Sequence, residues 1–322
     1  MDFTNCIINQ FKMYGGANGS KISVKYNGED YMLKFPPKPT KTDSMSYTNS
    51  CISEFVSCQI FNSIGVKAQE TLLGTYRQKD KEYVAVACKD FTSKDTKLFD
   101  FGQLKNTIID SLRGGYGTDI DDILESIESQ TLVNKKSLKE FFWDVFIVDS
   151  LLGNWDRHNG NWGFLVDEYN HTAEIAPVFD CGSCLYPQLT ESEMEDVLND
   201  RAAINSRIFS YPTSAIYENG KRINYFDYVT SIKNEDCNEA LKRIAPRIDM
   251  DEIHKIVEST PYIGETQKMF YKTMIQERKE RIIDLGLEKL HLRNRKEEAK
   301  EPQMKAPASR KADGKKDRTP SR

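Results

Sequence analysis

The sequence has little with which to cross a membrane, build a disulfide framework or hold zinc. Its most apolar stretch, FFWDVFIVDSLLG, is interrupted by Asp144 and Asp149 and is too short to span a bilayer. The opening MDFTNCIINQF lacks the charged start and continuous apolar centre of a secretory leader, so a cytoplasmic protein is expected. Seven cysteines, odd in number and scattered, predict free thiols in a reducing compartment. Only four histidines are present, and Cys181-x-x-Cys184 has no second ligand pair at suitable spacing, which argues against structural zinc. Nor does that pair open a helix of a thioredoxin-like unit, which argues against a thiol oxidoreductase. The net charge of −4 gives no global attraction to nucleic acid or anionic lipid.

What is present suffices for a large core: 322 residues, 39% hydrophobic and 11% aromatic, predict two domains or one bilobal unit. SKISVKYNGEDYMLKF alternates around Asn27–Gly28, a hairpin signal, and is followed by an irregular PPKPTKTDSMS. Ile52, Phe55, Val56, Ile60 and Ile64 recur at helical spacing, with Asn49 or Ser50 to cap the helix and Gly65 to end it. ETLLGTYRQKDKEYVAVACKDF reads as a second hairpin. From about Phe91 the pattern turns helical, with KKSLKEFFWDVFIVDSLLG as the central helix. Residues 292–322, rich in Lys, Arg, Pro and Ser and without aromatics, predict a disordered basic tail. There is no internal repeat.

The chemistry concentrates after the apolar helix, in GNWDRHNGNWGFLVDEYNHTAEIAPVFDCGS. Asp156 precedes Asn161 by five positions, and the runs WGFLV and AEIAPVFD form a hairpin that can return Asp180 beside Asn161. Phosphoryl transfer from a nucleotide needs a carboxylate to orient the acceptor hydroxyl and oxygen ligands for Mg2+ on the phosphates. It also needs a lysine, and Lys34 ends the second strand, while YGGANGSK upstream offers backbone N–H groups that can curve around phosphate. FDFG, Phe99 to Gly102, spells a kinase metal motif but precedes the catalytic loop, so it is taken as a turn.

At DRHNGN the sequence resembles the HipA-like serine/threonine kinases, a wording shared with phosphoinositide-type kinases. GGANGSK, YMLKF, SEFVSCQIFNSIGV, ACKDF and FDCGS follow the HipA-like pattern in order. The resemblance implies an α+β, bilobal protein-kinase-like fold: a β-rich nucleotide-binding lobe over 1–90, a helical catalytic lobe over 91–291, and the tail. It implies Asp156 as catalytic base, Asn161 and Asp180 as Mg2+ ligands, and ATP held by Gly16, Ala17, Asn18, Gly19, Ser20, Lys21, Lys34, Lys89, Phe91, His158, Asn161 and Asp180, with Lys89 and Phe91 where the hinge backbone meets adenine. Glu54 is either the partner of Lys34 or a solvated helix-face charge.

HipA autophosphorylates a serine just before its glycine loop, where this chain has KMYGGA, so Ser20 and Ser23 become the nearby candidates. The expected function is Ser/Thr phosphorylation with Mg-ATP, on itself or another protein substrate. The alternatives are a lipid kinase, disfavoured by the acidic LTESEMEDVLND, and an ATP-binding pseudokinase. Neither a membrane nor nucleic acid is expected as partner, except through the basic tail, which is also a candidate nuclear address should the protein be exported non-classically into a host cell.

Overall fold

The computed structural model describes residues 1–14, 21–37, 47–109 and 114–304, with side chains to 298. A short strand β1 (Ile7–Ile8) pairs with β2 (Lys21–Tyr26), which turns through Asn27 and Gly28 into β3 (Glu29–Lys34). Both turn residues have positive φ, 49° and 85°, the backbone twist that a two-residue hairpin demands. Helix α1 (Ser50–Ser63) follows, ended by Gly65 at φ 83°. Asn49 stands at its N-cap, yet its side-chain amide donates to the Leu189 carbonyl (2.7 Å) rather than serving the helix. β4 (Thr71–Gln78) and β5 (Lys81–Lys89) complete an antiparallel five-stranded sheet ordered β1-β2-β3-β5-β4.

Strand alternation divides this lobe's core in two. Val24, Leu33, Ala85 and Ala87 face Phe3 on one side, whereas Val86 and Cys88 face α1 on the other. Through α1 the second face is continuous with the main core of the molecule.

The chain then forms β6 (Thr96–Asp100), α2 (Phe101–Ile108), α3 (Ile120–Ser129), α4 (Lys135–Leu152), β7 (Gly163–Asp167) and β8 (Thr172–Ile175). FDFG is therefore not a turn. Phe99 and Asp100 close β6, and the Asp100 carboxylate accepts from Gln103 N (2.9 Å) as the N-cap of α2. β6 pairs with β7 in the order β6-β7-β8, with Phe99 opposite Phe164, a partner too far along the chain for local pattern to show. Gly163 is required there, because a Cβ would lie 2.2 Å from the Phe99 carbonyl.

The remaining elements are α5 (Glu191–Asn199), α6 (Arg201–Phe209), β9 (Thr213–Glu218), β10 (Lys221–Asn224), α7 (Tyr225–Ser231), α8 (Glu235–Ile244), α9 (Met250–Ser259), α10 (Glu265–Arg278) and α11 (Leu285–Met304). α11 carries order past residue 291, into the stretch expected to be tail. Leu290 is fully buried, and Arg293 binds the Ile232 carbonyl (3.1 Å) and Glu235 (2.6 Å), anchoring a run whose Glu, Lys and Ala are good helix formers. Residues 305–322 lie outside the described residues.

α4 is the axis of the large lobe. Asn134 caps its start through Ser137 N (3.0 Å), Gly153 at φ 66° ends it, and its C-terminal two-thirds is buried nearly all round. The two aspartates within its apolar run are matched, Asp144 to Arg243 and Asp149 to Arg157. Among the described residues no helix is long and apolar enough to cross a membrane. The mixed architecture, sheet-rich at the N-terminal end and helical beyond, is the two-lobed one expected. Ile147→Ala, at a fully buried position of α4, should lower unfolding stability by about 2–5 kcal/mol, read from the urea midpoint.

Candidate active site

A cleft of about 940 Å3 opens between the lobes, a volume in the range of small-molecule sites. Lys34, at the end of β3, reaches into it. Its ammonium lies 2.9 Å from Glu54 Oε2 and 3.1 Å from Asp180 Oδ1. Glu54 is the partner of Lys34, not a solvated charge: α1 buries it to 1% exposure. The ammonium beside Asp180 holds that carboxyl at about 2 against the opposing effect of burial. Burial works against the Lys34 charge too, but the Asp180 and Glu54 carboxylates prevail and keep it firmly protonated. Burial raises Glu54, with Lys34 opposing.

Asp156 and Asn161 face this group from the loop after α4. The Asp156 carbonyl accepts from His158 N (2.8 Å) and Asn161 Nδ2 (2.8 Å), which curls the loop and commits the Asn161 amide nitrogen, so that Oδ1 is the side-chain atom that could hold a cation. His158 braces the same turn, its Nδ1 accepting from Gly160 N (3.0 Å), and it lines the cleft. Burial raises the Asp156 carboxyl above its ordinary value; His158 opposes this and Asp180 adds to it. Asp180 itself sits at φ 57°, a left-handed conformation rare outside glycine that aspartate tolerates.

Arg157 fixes the relation between these loops. Buried at 6% exposure, it donates from Nε to Asp149 Oδ2 (3.0 Å) and from Nη2 to Asp149 Oδ1 (3.2 Å). Nη1 donates to the carbonyls of Asn161 (2.9 Å) and Phe179 (2.5 Å), and Nη2 also meets Cys181 Sγ at 3.4 Å. One guanidinium thus joins α4, the catalytic loop and the residues on both sides of Asp180. Asn154 Nδ2 supplies Asp149 with another donor (2.9 Å). Sequence reasoning passed over Asp149, which looked only like a break in an apolar run.

The start of α2 contributes a second brace. Phe101 N donates to Trp162 O and Gly102 N to Asn159 O (both 2.9 Å), and the Phe101 ring stacks on Trp162 at 3.9 Å between centroids. The apparent metal motif thus supports the loop from behind with the free N–H groups of a helix start.

Of the other expected residues, Lys21 lines the cleft opposite Lys34 in the β2–β3 register, its ammonium shifted down by burial and by Lys34. Gly16, Ala17, Asn18, Gly19 and Ser20 lie outside the described residues. Phe91 lines the cleft, with its ring 5.9 Å from that of Phe179. Lys89 does not: its side chain turns away to Glu29 (2.8 Å) and Glu70 (3.2 Å), since strand alternation points it off the cleft face. Asp90 takes its place at the rim, bound by Tyr14, Lys12 and Thr92. Ser23 is buried at 2% exposure within β2, which removes it as an accessible phosphate acceptor. Cys181 and Cys184 are buried, free and packed under the site.

Removing the Arg157 fork should be severe, because a buried Asp149 is left without its partner. Arg157→Lys keeps the charge but cannot span these acceptors, and should lose about 3 kcal/mol or more in chemical denaturation.

The chain is similar in sequence and fold to known proteins. The model of the HipA-like C-terminal domain matches residues 13–260. Over 287 residues the chain is 52% identical to the serine/threonine-protein kinase CtkA of Helicobacter pylori, covering 89% of this chain and 87% of that protein. The crystal structure of the Helicobacter pylori proinflammatory kinase CtkA is similar with a TM-score of 0.85 and 51% identity, covering 91% of this chain and 98% of that one. A chain from the Shewanella oneidensis MR-1 complex of HipA, HipB and operator DNA shares the fold at TM-score 0.54 and 16% identity, over 87% of this chain and 69% of that one. The match over residues 13–260 and the 52% identity over 287 residues make the chain a member of the HipA-like family of serine/threonine kinases.

Proposed function

We propose that the cleft binds Mg-ATP and transfers its γ-phosphoryl group to serine or threonine hydroxyls of proteins, this chain included. The observation that carries this reading is the Lys34 ammonium held between Glu54 and Asp180, with Asp156 and Asn161 facing it across the cleft. Lys34 and Lys21 supply positive charge where phosphates would lie. Asp156 accepts the proton of the acceptor hydroxyl as its oxygen bonds to phosphorus and the bond to ADP breaks.

The donor set suits magnesium. Asp180 and Asn161 offer hard oxygen ligands, and the described residues contain no cluster of three or more His, Cys, Asp or Glu that would cage a metal by protein alone. Magnesium is normally held this way, by one or two protein oxygens with substrate phosphates and water completing the shell. When bound it neutralises charge on the phosphates; Asp180 and Asn161 would hold it, and Arg157 positions both.

Two observations favour a protein acceptor and turnover over the alternatives. The segment after Asp180 forms α5, whose exposed Glu191, Glu193, Glu195 and Asp196 would repel an anionic lipid headgroup. Lys34, Asp156, Asn161 and Asp180 all line one cleft, whereas a binding-only relative is expected to have lost one of them.

Incubation with labelled ATP and magnesium should place phosphate on protein. Asp156→Asn should lower kcat about 100- to 10,000-fold while nucleotide Kd changes only a few-fold, and an unchanged kcat would retire the assignment. The base must be ionised to act, and burial raises the Asp156 carboxyl. The acid limb of kcat/KM should therefore lie at higher pH than that of an ordinary aspartate, near 3.9. A pH–rate profile with no acid limb above that value contradicts it.

A further inference from the structure

Gln69 lies between α1 and β4, held by its backbone N–H on the Val178 carbonyl (2.8 Å) and buried to 5% exposure. Its Nε2 donates to the Lys89 carbonyl at 2.8 Å. A carbonyl can only accept, so the NH2 end of the amide must face Lys89 and the oxygen must face the other way. That oxygen is buried and has no hydrogen-bond partner among the described residues, while the side chain forms part of the cleft wall. Buried acceptors without a donor are rare, and one set in the wall of a ligand cleft points to a donor on the ligand.

The strand register places this acceptor relative to the phosphate end. Lys34 stands opposite Val86, and Tyr31 opposite Lys89, so the Lys89 carbonyl lies three residues along β5 from the catalytic lysine. At about 3.3 Å per residue that is roughly 10 Å, a span suited to the distance from a nucleotide's inner phosphates to the far edge of its base. Met32, Val86, Leu98, Phe91 and Phe179 supply apolar walls there for a flat ring.

Building on the Mg-ATP reading, we propose that Gln69 determines the base specificity of the kinase, its Oε1 accepting a hydrogen from the exocyclic amine of adenine. The Lys89 carbonyl, bonded to Nε2, holds the amide in the orientation that offers Oε1. Guanine carries an oxygen at the same ring position. Two acceptors would then face each other in a dry site, so GTP is rejected by repulsion as well as by a lost hydrogen bond.

The test is calorimetric binding of Mg-ATP and Mg-GTP to the full chain and to Gln69→Met, which keeps length and shape without the amide. The native chain should prefer ATP by about tenfold or more, and Gln69→Met, its fold checked by thermal melting, should lose most of that preference through weaker ATP binding. Should Gln69→Met not fold, Gln69→Asn, which withdraws the amide by one methylene, is measured in the same way. A native chain that binds both nucleotides equally overturns the assignment without any variant, as does a folded variant that keeps the native ratio. Binding of neither nucleotide overturns both this proposal and the Mg-ATP reading, whereas ATP binding without discrimination overturns this proposal alone.

Discussion

The buried pair of Asp149 and Arg157 sets the geometry on which the rest of the site depends. The carboxylate comes from the buried C-terminal part of α4, so the guanidinium inherits the rigidity of the core. Taking both charges out of water is costly, and what offsets it is the number of bonds: both carboxylate oxygens are engaged, and the guanidinium also meets two backbone carbonyls. Those carbonyls belong to Asn161 and to Phe179, the residue before Asp180. A charge pair that adds little net stability can thereby fix the spacing of two functional loops.

The second network, at Lys34, meets the cleft through Asp180, where the first is enclosed. Asp180 opens into the cleft and shares the ammonium with Glu54, which is buried. A divalent cation at Asp180 would compete with Lys34 for the same carboxylate, and Glu54 would keep the ammonium in place during that exchange. The unusual backbone of Asp180 traces to Arg157, which holds the Phe179 carbonyl just before it and meets the Cys181 thiol just after it, so the residue is over-determined from both sides.

Much of this was legible in the sequence where a signal is local. Asn27–Gly28 gave the hairpin, the helical spacing of Ile52 to Ile64 gave α1, and the order of Lys34, Asp156, Asn161 and Asp180 gave the constellation. The pairing of Lys34 with Glu54 was one of two open alternatives, because sequence alone does not say which face of α1 meets the sheet. β6 and the role of FDFG escaped because their partners are distant: β6 is a strand only through β7, and Phe101 and Gly102 matter only through Trp162 and Asn159. Lys89 was expected at the cleft through its backbone, and its side chain points elsewhere. The backbone there borders the cleft, but side-chain direction alternates along a strand, and its ammonium belongs to Glu29 and Glu70. Gln69 had no signal at all, since a lone glutamine before a strand is ordinary until its amide is found half satisfied.

The central claim is that the Asp149–Arg157 pair acts as one unit to place the catalytic loop and Asp180. A double-mutant cycle of Asp149→Asn and Arg157→Gln, read in kcat for phosphoryl transfer at a temperature where all four proteins are folded, tests it most directly. Each single change should lower kcat, and the double variant should be no worse than the poorer single one. Losses that multiply, or singles that turn over at the native rate, would contradict it.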